Sequence, residues 1–267
     1  MFEQYLTDIT QPDPALRYEA AQKLGASNDS RAIQPLIAAL RDENSKVQYA
    51  AFSGLIKLNA GDAAAPILDT LLDNPNSKIW ELLKLNIGMR LRAGLLDLLP
   101  HGDSALADRI SATLEATDLD DACRALVLRM LGRTGTSAHV EPLIDILLHA
   151  SPIVQGGAAE ALGYIGDSRA VAPLTLFLFD SSDELREIAV EALGRIGHPS
   201  AVDHVMGVLG DENEWVRRAA VVALGSLGDR RALEPLNAAM KDENTVVQDA
   251  AYEALRKLSD GGQDLTL

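Results

Sequence analysis

A single 31-residue period governs this chain. Val154, Leu185, Val216 and Val247 each open the pattern apolar-x-x-x-apolar-x-x-Ala-Leu, and the Ala-Leu pairs fall at 161–162, 192–193, 223–224 and 254–255, so the same step recurs throughout. A fixed period in this range means stacked supersecondary units, each burying its apolar face against its neighbours, and not one globular core. Stacks of this kind build extended binding surfaces more readily than catalytic pockets.

The segment Val216-Arg-Arg-Ala-Ala-Val-Val-Ala-Leu-Gly225 shows the unit. Its apolar residues sit at offsets 0, 3, 4, 7 and 8, one stripe of an α-helix, here helix B. Small alanines in the stripe let neighbouring helices approach closely. Gly135, Gly166, Gly197 and Gly228 end the repeats, with Asn28 and Asn59 in the same slot of the first two. Both residue types accept a left-handed C-terminal conformation. A second helix, helix A, follows. Asp29, Asp167 and Asp229 precede it as caps, and Pro35, Pro66, Pro142, Pro173 and Pro235 stand early in it, where a missing N–H costs least. Asp42, Asp180, Asp211 and Asp242 mark the turn back to helix B.

Carried along the chain, the register gives eight helix B segments, opening at Leu16, Val47, Ile79, Cys123, Val154, Leu185, Val216 and Val247. The step from Ile79 to Cys123 is longer than every other, which places an insertion, expected as a loop, near 89–102. The reading is one repeat domain over 1–267, all-α, with about eight helix pairs and a polar C-terminal tail at 259–267.

The chain is 47% hydrophobic, enough for a continuous core, and carries a net charge of −15. Such acidity repels nucleic acid and anionic membrane. Its apolar runs are too short to span a bilayer, and its opening residues are polar and acidic, unlike a secretory leader. The one cysteine, Cys123, fits a reducing compartment, so a cytoplasmic location is expected. Residues 1–133 carry 14 basic and 18 acidic side chains, and residues 134–267 carry 10 and 21, so the C-terminal half is the more acidic.

The phrases Gly166-Asp-Ser-Arg-Ala-Val-Ala-Pro-Leu174 and Val216-Arg-Arg-Ala-Ala-Val-Val-Ala-Leu-Gly225 resemble short HEAT repeats, closest to the variety named after phycobilisome lyases. The resemblance covers nearly the whole chain. It implies a right-handed α-solenoid with helix B lining the concave side. Proteins with such repeats include E/F-type phycobilin lyase subunits, phycobilisome-degradation factors and plain adaptors. The Ala-Trp-Trp-Leu-Gly helix associated with the E-type subunit is absent. A HEAT-like metalloenzyme, deoxyhypusine hydroxylase, holds iron on His-Glu dipeptides. Here His101, His139, His149, His198 and His204 are followed by Gly, Val, Ala, Pro and Val, so that chemistry is not expected. No catalytic residue, metal site or cofactor is assigned.

Cys123 takes a slot otherwise held by Val, Leu or Ile and reads as a small buried hydrophobe. Asp120-Asp121 and Asp183-Glu184 stand at helix starts, where carboxylates complement the dipole. Arg186 and Arg217, with Asp180 and Asp211 at matching offsets, read as a ladder of rim-like ion pairs between repeats.

Non-core offsets on helix B are 1, 2, 5 and 6. Tyr18, Tyr49 and Trp80 occupy such offsets in the first three repeats, each one full period from the next, with Phe52 one turn from Tyr49. They read either as packing between helices or as a strip that a partner covers. Beside them lies a basic window that includes Lys84, Arg90 and Arg92 and runs into the insertion. The expected function is a non-catalytic scaffold binding a protein partner through these seven residues, a heterodimer with another repeat protein being one form. The alternative is a phycobilin lyase subunit or a phycobilisome assembly or degradation factor, in which the aromatic and basic residues stack a bilin and pair its propionates.

Overall fold

The structure, a computed structural model, describes residues 1–72, 89–116 and 119–260. These are helices and connecting turns, with no strand among the described residues. They fall into two compact units, Met1–Cys123 and Arg124–Leu267. The first contains α1 (Phe2–Asp8), α2 (Pro14–Gly25), α3 (Ile33–Ala39), α4 (Ser45–Lys57), α5 (Ala64–Leu72), α6 (Met89–Leu98) and α7 (Ser104–Ala116). The second takes most of α8 (Asp121–Thr134) and then α9 (Val140–His149), α10 (Pro152–Ile165), α11 (Val171–Thr175) and α12 (Asp183–Ile196). It ends with α13 (Val202–Met206), α14 (Glu214–Leu227), α15 (Leu233–Ala239) and α16 (Thr245–Asp260). The architecture is an α-solenoid of helix pairs. Helices α2, α4, α8, α10, α12, α14 and α16 are the B helices, each starting two residues before the apolar residue that opens its repeat. The B helix expected at Ile79 lies outside the described residues.

Short polar residues set these boundaries. The Asp29, Asp167 and Asp229 side chains accept hydrogen bonds from the N–H groups of Arg31, Arg169 and Arg231, turning the chain through one 3-10 turn into helix A. Thr136 and His198 do the same in two other repeats. Asn44, Asn213 and Asn244 cap α4, α14 and α16. At the far end Gly166, Gly197 and Gly228 are left-handed, as are Asn28 and Asn59. Gly135 departs from the expectation, since its φ is not positive. There α8 stops at Thr134, and a Cβ on residue 135 would lie 2.5 Å from the Leu131 carbonyl oxygen.

The B helices pack directly on one another, and glycine sets their spacing. A Cβ on Gly132, Gly163, Gly194 or Gly225 would stand 2.5, 2.8, 2.9 or 3.0 Å from the Cα of Ala161, Ala192, Ala223 or Ala254 on the next B helix. Gly25 of α2 meets Gly54 of α4 in the same way. Around these contacts the apolar stripes close over a core in which Leu24, Leu55, Leu162, Leu193 and Leu224 are fully buried. Leu16, which opens the first of these repeats, is 43% exposed.

The arginine ladder differs from the rim-like pairs expected. Arg17, Arg186 and Arg217 each grip an aspartate 25 residues on, Asp42, Asp211 and Asp242, through Nε at 2.7, 2.8 and 2.8 Å and Nη2 at 2.9 Å. The third donor group binds a carbonyl of the turn before the arginine's own helix: Pro12, Asp180 and Asp211. The arginine side chains are only 8–9% exposed and the aspartates 10–11%. These are buried bidentate links with their donors satisfied, not surface pairs. Gln48 and Gln248 fill the arginine slot in their repeats and bind the carbonyls of Asp42 and Asp242.

The insertion expected as a loop is in part a helix. In α6 Leu91, Leu95 and Leu98 are buried, and Gly94 sits under the Ile56 side chain of α4. The chain then turns at Gly102, with φ of 67°. At the C-terminus α16 continues through Ser259 and Asp260, so the expected tail begins as helix, and residues 261–267 lie outside the described residues.

Two outcomes follow from this packing. Gly194→Ala places a methyl group against Ala223 and should cost about 1–3 kcal/mol of unfolding free energy. Gly210→Ala, which meets nothing within 4 Å, should stay within about 0.5 kcal/mol of the wild type, and denaturant unfolding of both variants checks the pair. The second outcome concerns acid. Hydrogen bonds from Arg169 and its N–H hold Asp167 down to about 2. Burial pushes Asp42 and Asp211 up, and the Arg17 and Arg186 guanidinium groups with backbone N–H groups outweigh it, leaving both below the ordinary aspartate value. Arg217 lowers Asp242 in the same way. With depressed native values, the unfolded chain binds more protons in this range. Stability should therefore be complete above about pH 4 and fall as the pH drops toward 2, as read by helical circular dichroism.

Candidate binding surface

On the B helices the outward stripe consists of the residue before the repeat opening and those at offsets 2, 6 and 10, spaced i, i+3, i+7 and i+11, except that on α8 and α10 the offset-2 residues Ala125 and Gly156 are buried. In the first unit this stripe reads Ala15, Tyr18 and Gln22 on α2, and Lys46, Tyr49, Ser53 and Lys57 on α4. Tyr18 and Tyr49 are half-buried and share a cleft of about 520 Å³ with Pro14, Asn44, Ser45 and Lys46. Tyr49 also borders a second cleft of about 310 Å³, with Gln22, Ser53 and Lys57 along it. The Gln22 amide donates to the Tyr18 hydroxyl at 2.7 Å and fixes that ring's edge. Among the described residues no carboxylate lines either cleft. The surface thus offers ring faces, hydroxyls and two ammonium groups, the means of non-covalent recognition.

The seven residues expected to bind a partner have different fates. Tyr18 and Tyr49 come together as the repeat spacing required. Phe52 does not join them. It is 1% exposed, because offset 5 of α4 turns into the core, and no partner can reach it. Arg92 is half-buried on α6. Trp80, Lys84 and the Arg90 side chain lie outside the described residues.

In the second unit the structure shows a row that the sequence reading passed over. The Arg133 and Arg195 guanidinium groups lie 5.4 and 4.9 Å from the centre of the Tyr164 ring, which they flank. All three sit at offset 10 of successive repeats, so the signal was present at an offset assigned to the helix end and left unread. One turn earlier, at offset 6, Arg129 pairs with Glu160 at 2.8 Å. Cys123 is buried at 3% exposure. Among the described residues no group of three or more His, Cys, Asp or Glu side chains converges to hold a metal ion. No helix among them is long and apolar enough to cross a membrane.

Stacked helix pairs with a regular B-helix face define a repeat protein of the α-solenoid class. The HEAT repeats family model matches residues 3–81, 110–184 and 174–256, and the chain belongs to that family. No curated protein matches it. Among solved structures it is similar to human deoxyhypusine hydroxylase in complex with glycerol, at 21% identity and a TM-score of 0.46, over 97% of this chain and 95% of that one. It is also similar to the complex of CpcE and CpcF of phycocyanin lyase from a Nostoc strain, at 21% identity and a TM-score of 0.43, over 100% and 90% of the two chains. A computationally designed armadillo repeat protein for modular peptide recognition is similar at 16% identity and a TM-score of 0.38, over 96% and 99%.

The different placement of Phe52 and Tyr49 is measurable. Phe52→Ala should cost about 3–5 kcal/mol of stability as a fully buried ring. Tyr49→Ala, on the cleft, should cost less than half as much in the same denaturant titration.

Proposed function

We propose that the chain is a non-catalytic scaffold that holds an acidic segment of a protein partner on the helix B face of its first unit. One observation carries this reading: Tyr18, Tyr49, Lys46 and Lys57 line adjoining clefts that among the described residues are free of carboxylates, in a chain of net charge −15. Rings that present large area at low entropic cost are good anchors. Two ammonium groups on an otherwise acidic molecule select and steer an acidic partner. A second repeat protein is one partner of this kind.

The test begins with a partner recovered on the full-length chain and then purified. Tyr49→Ala should weaken its binding by about 2 kcal/mol, and the double variant Lys46→Glu with Lys57→Glu should remove the salt dependence of association. Binding that survives deletion of residues 1–102 would contradict the proposal. Phycocyanobilin provides the other arm. A shift of its visible absorption on mixing with the chain, lost in Tyr49→Ala, would replace this reading with that of a lyase subunit.

A further inference from the structure

The second unit carries a helix B face of the opposite character. On α14 the outward stripe is Trp215, Arg218, Val222 and Ser226. Trp215 is 47% exposed and Val222 41%. Neither exposure serves the core. At offset 6 the other B helices of this unit carry Arg129, Glu160, Glu191 and Glu253, so valine alone breaks a charged row. A solvated helix face has no need of an exposed tryptophan and valine two turns apart, whereas a docking ridge does. Clefts flank the ridge on both sides. One, of about 200 Å³, lies between α12 and α14, and one of about 330 Å³ lies between α14 and α16. Arg218 and Val222 border both.

Carboxylates wall this ridge. On α12 they are Asp183, Glu184, Glu187 and Glu191, and on α16 Asp249 and Glu253. The Asn213 amide donates to Asp183 at 2.6 Å, which places that carboxylate at the start of α14, beside Trp215. Four cations accompany them. Arg195 is held by Glu191 at 2.9 Å and stacks on Tyr164, Arg256 is held by Glu253 at 2.8 Å, and Arg218 and Lys257 complete the set. Glu184 and Asp249 have no ion pair among the described residues. Burial, and then the charges of Glu191, Glu184 and Asp183, push the Glu187 carboxyl up against the opposing pull of Arg218. Six carboxylates thus face four cations among the described residues, and the wall keeps a net negative charge, carried at Glu184 and Asp249 without an ion pair.

We propose that the α12–α14–α16 face docks a basic peptide segment of a partner protein, with Trp215 and Val222 as apolar anchors and Glu184, Glu187, Glu191 and Asp249 as counter-charges for its Lys or Arg side chains. The proposal is independent of the reading of the first unit, whose clefts hold no carboxylate among the described residues. It gives the two units opposite preferences, acidic segments on one and basic segments on the other.

The test uses the full-length chain and two fluorescent nine-residue peptides. One carries Lys and Arg around a central Leu-x-x-Leu, and the other carries Glu in place of every Lys and Arg. Fluorescence anisotropy should show saturable binding of the basic peptide and none of the acidic peptide at this face. Val222→Ser and Trp215→Ala, both at exposed positions, should each weaken the basic peptide about tenfold with helical content unchanged. Glu184→Gln with Asp249→Asn should weaken it as much and flatten its salt dependence, while Glu141→Gln with Glu234→Gln, on the A helices, should leave it unaltered. Equal losses from both carboxylate pairs would reveal nonspecific attraction to an acidic chain and overturn the proposal. So would an unchanged affinity in Val222→Ser, or sedimentation showing that this face is covered by a second copy of the chain.

Discussion

Everything in this molecule hangs on how closely one B helix approaches the next. Where glycine at offset 9 meets alanine at offset 7 of the following repeat, the backbones come so near that a single methyl group would not fit. Close-packed interiors do not yield to such insertions without cost. The contact fixes the rise of the stack. The rise sets the distance across which an arginine must reach to the next repeat's aspartate, and that distance recurs as the same bidentate geometry in Arg17, Arg186 and Arg217. The outward stripes then fall into rows, so that residues one period apart in sequence become lateral neighbours. Tyr18 beside Tyr49, and Arg133 and Arg195 around Tyr164, are consequences of that one spacing.

The aspartate at the A-to-B turn shows how tightly the parts are coupled. Asp42, Asp211 and Asp242 each accept the N–H of an asparagine two residues on, and that asparagine caps the helix that follows. The same carboxylates receive the arginine of the previous repeat. One side chain therefore shapes the turn, supports the cap and locks the neighbouring repeat, which accounts for the recurrence of Asp-Glu-Asn at 42, 211 and 242. Its glutamate is largely exposed, at 85% in Glu43 and 91% in Glu212, and touches the ladder only at its edge.

Most of the architecture was legible because a repeat states its rule several times. Apolar offsets, turn glycines and capping aspartates each recur often enough to be read without a structure. Legibility failed where an element occurs once or where burial depends on the third dimension. The extra stretch of chain before Cys123 has no counterpart elsewhere, so its helix at 89–98 could not be inferred from the period. Phe52 and Tyr49 are three residues apart on one helix, and only the packing shows that one ring enters the core while the other borders a cleft. The depth of the arginine ladder was hidden for the same reason, since a charged residue beside a core position looks from sequence alone like a surface residue. Val222 stands at offset 6, which the register already placed off the core, and the sequence reading followed only the aromatic row at such offsets, so this exposed valine went unread.

Both functional readings rest on one claim: that partners are held by the outward stripes of the B helices and not by the A helices or the turns. Site-specific photo-crosslinking tests it most directly. A benzoylphenylalanine is placed in turn at Tyr49, Val222, Leu148 and Asn237, the last two on the A helices α9 and α15, and each chain is irradiated with the purified partner. The account predicts adducts from position 49 or 222 and none from 148 or 237. Adducts confined to the A-helix positions would contradict it.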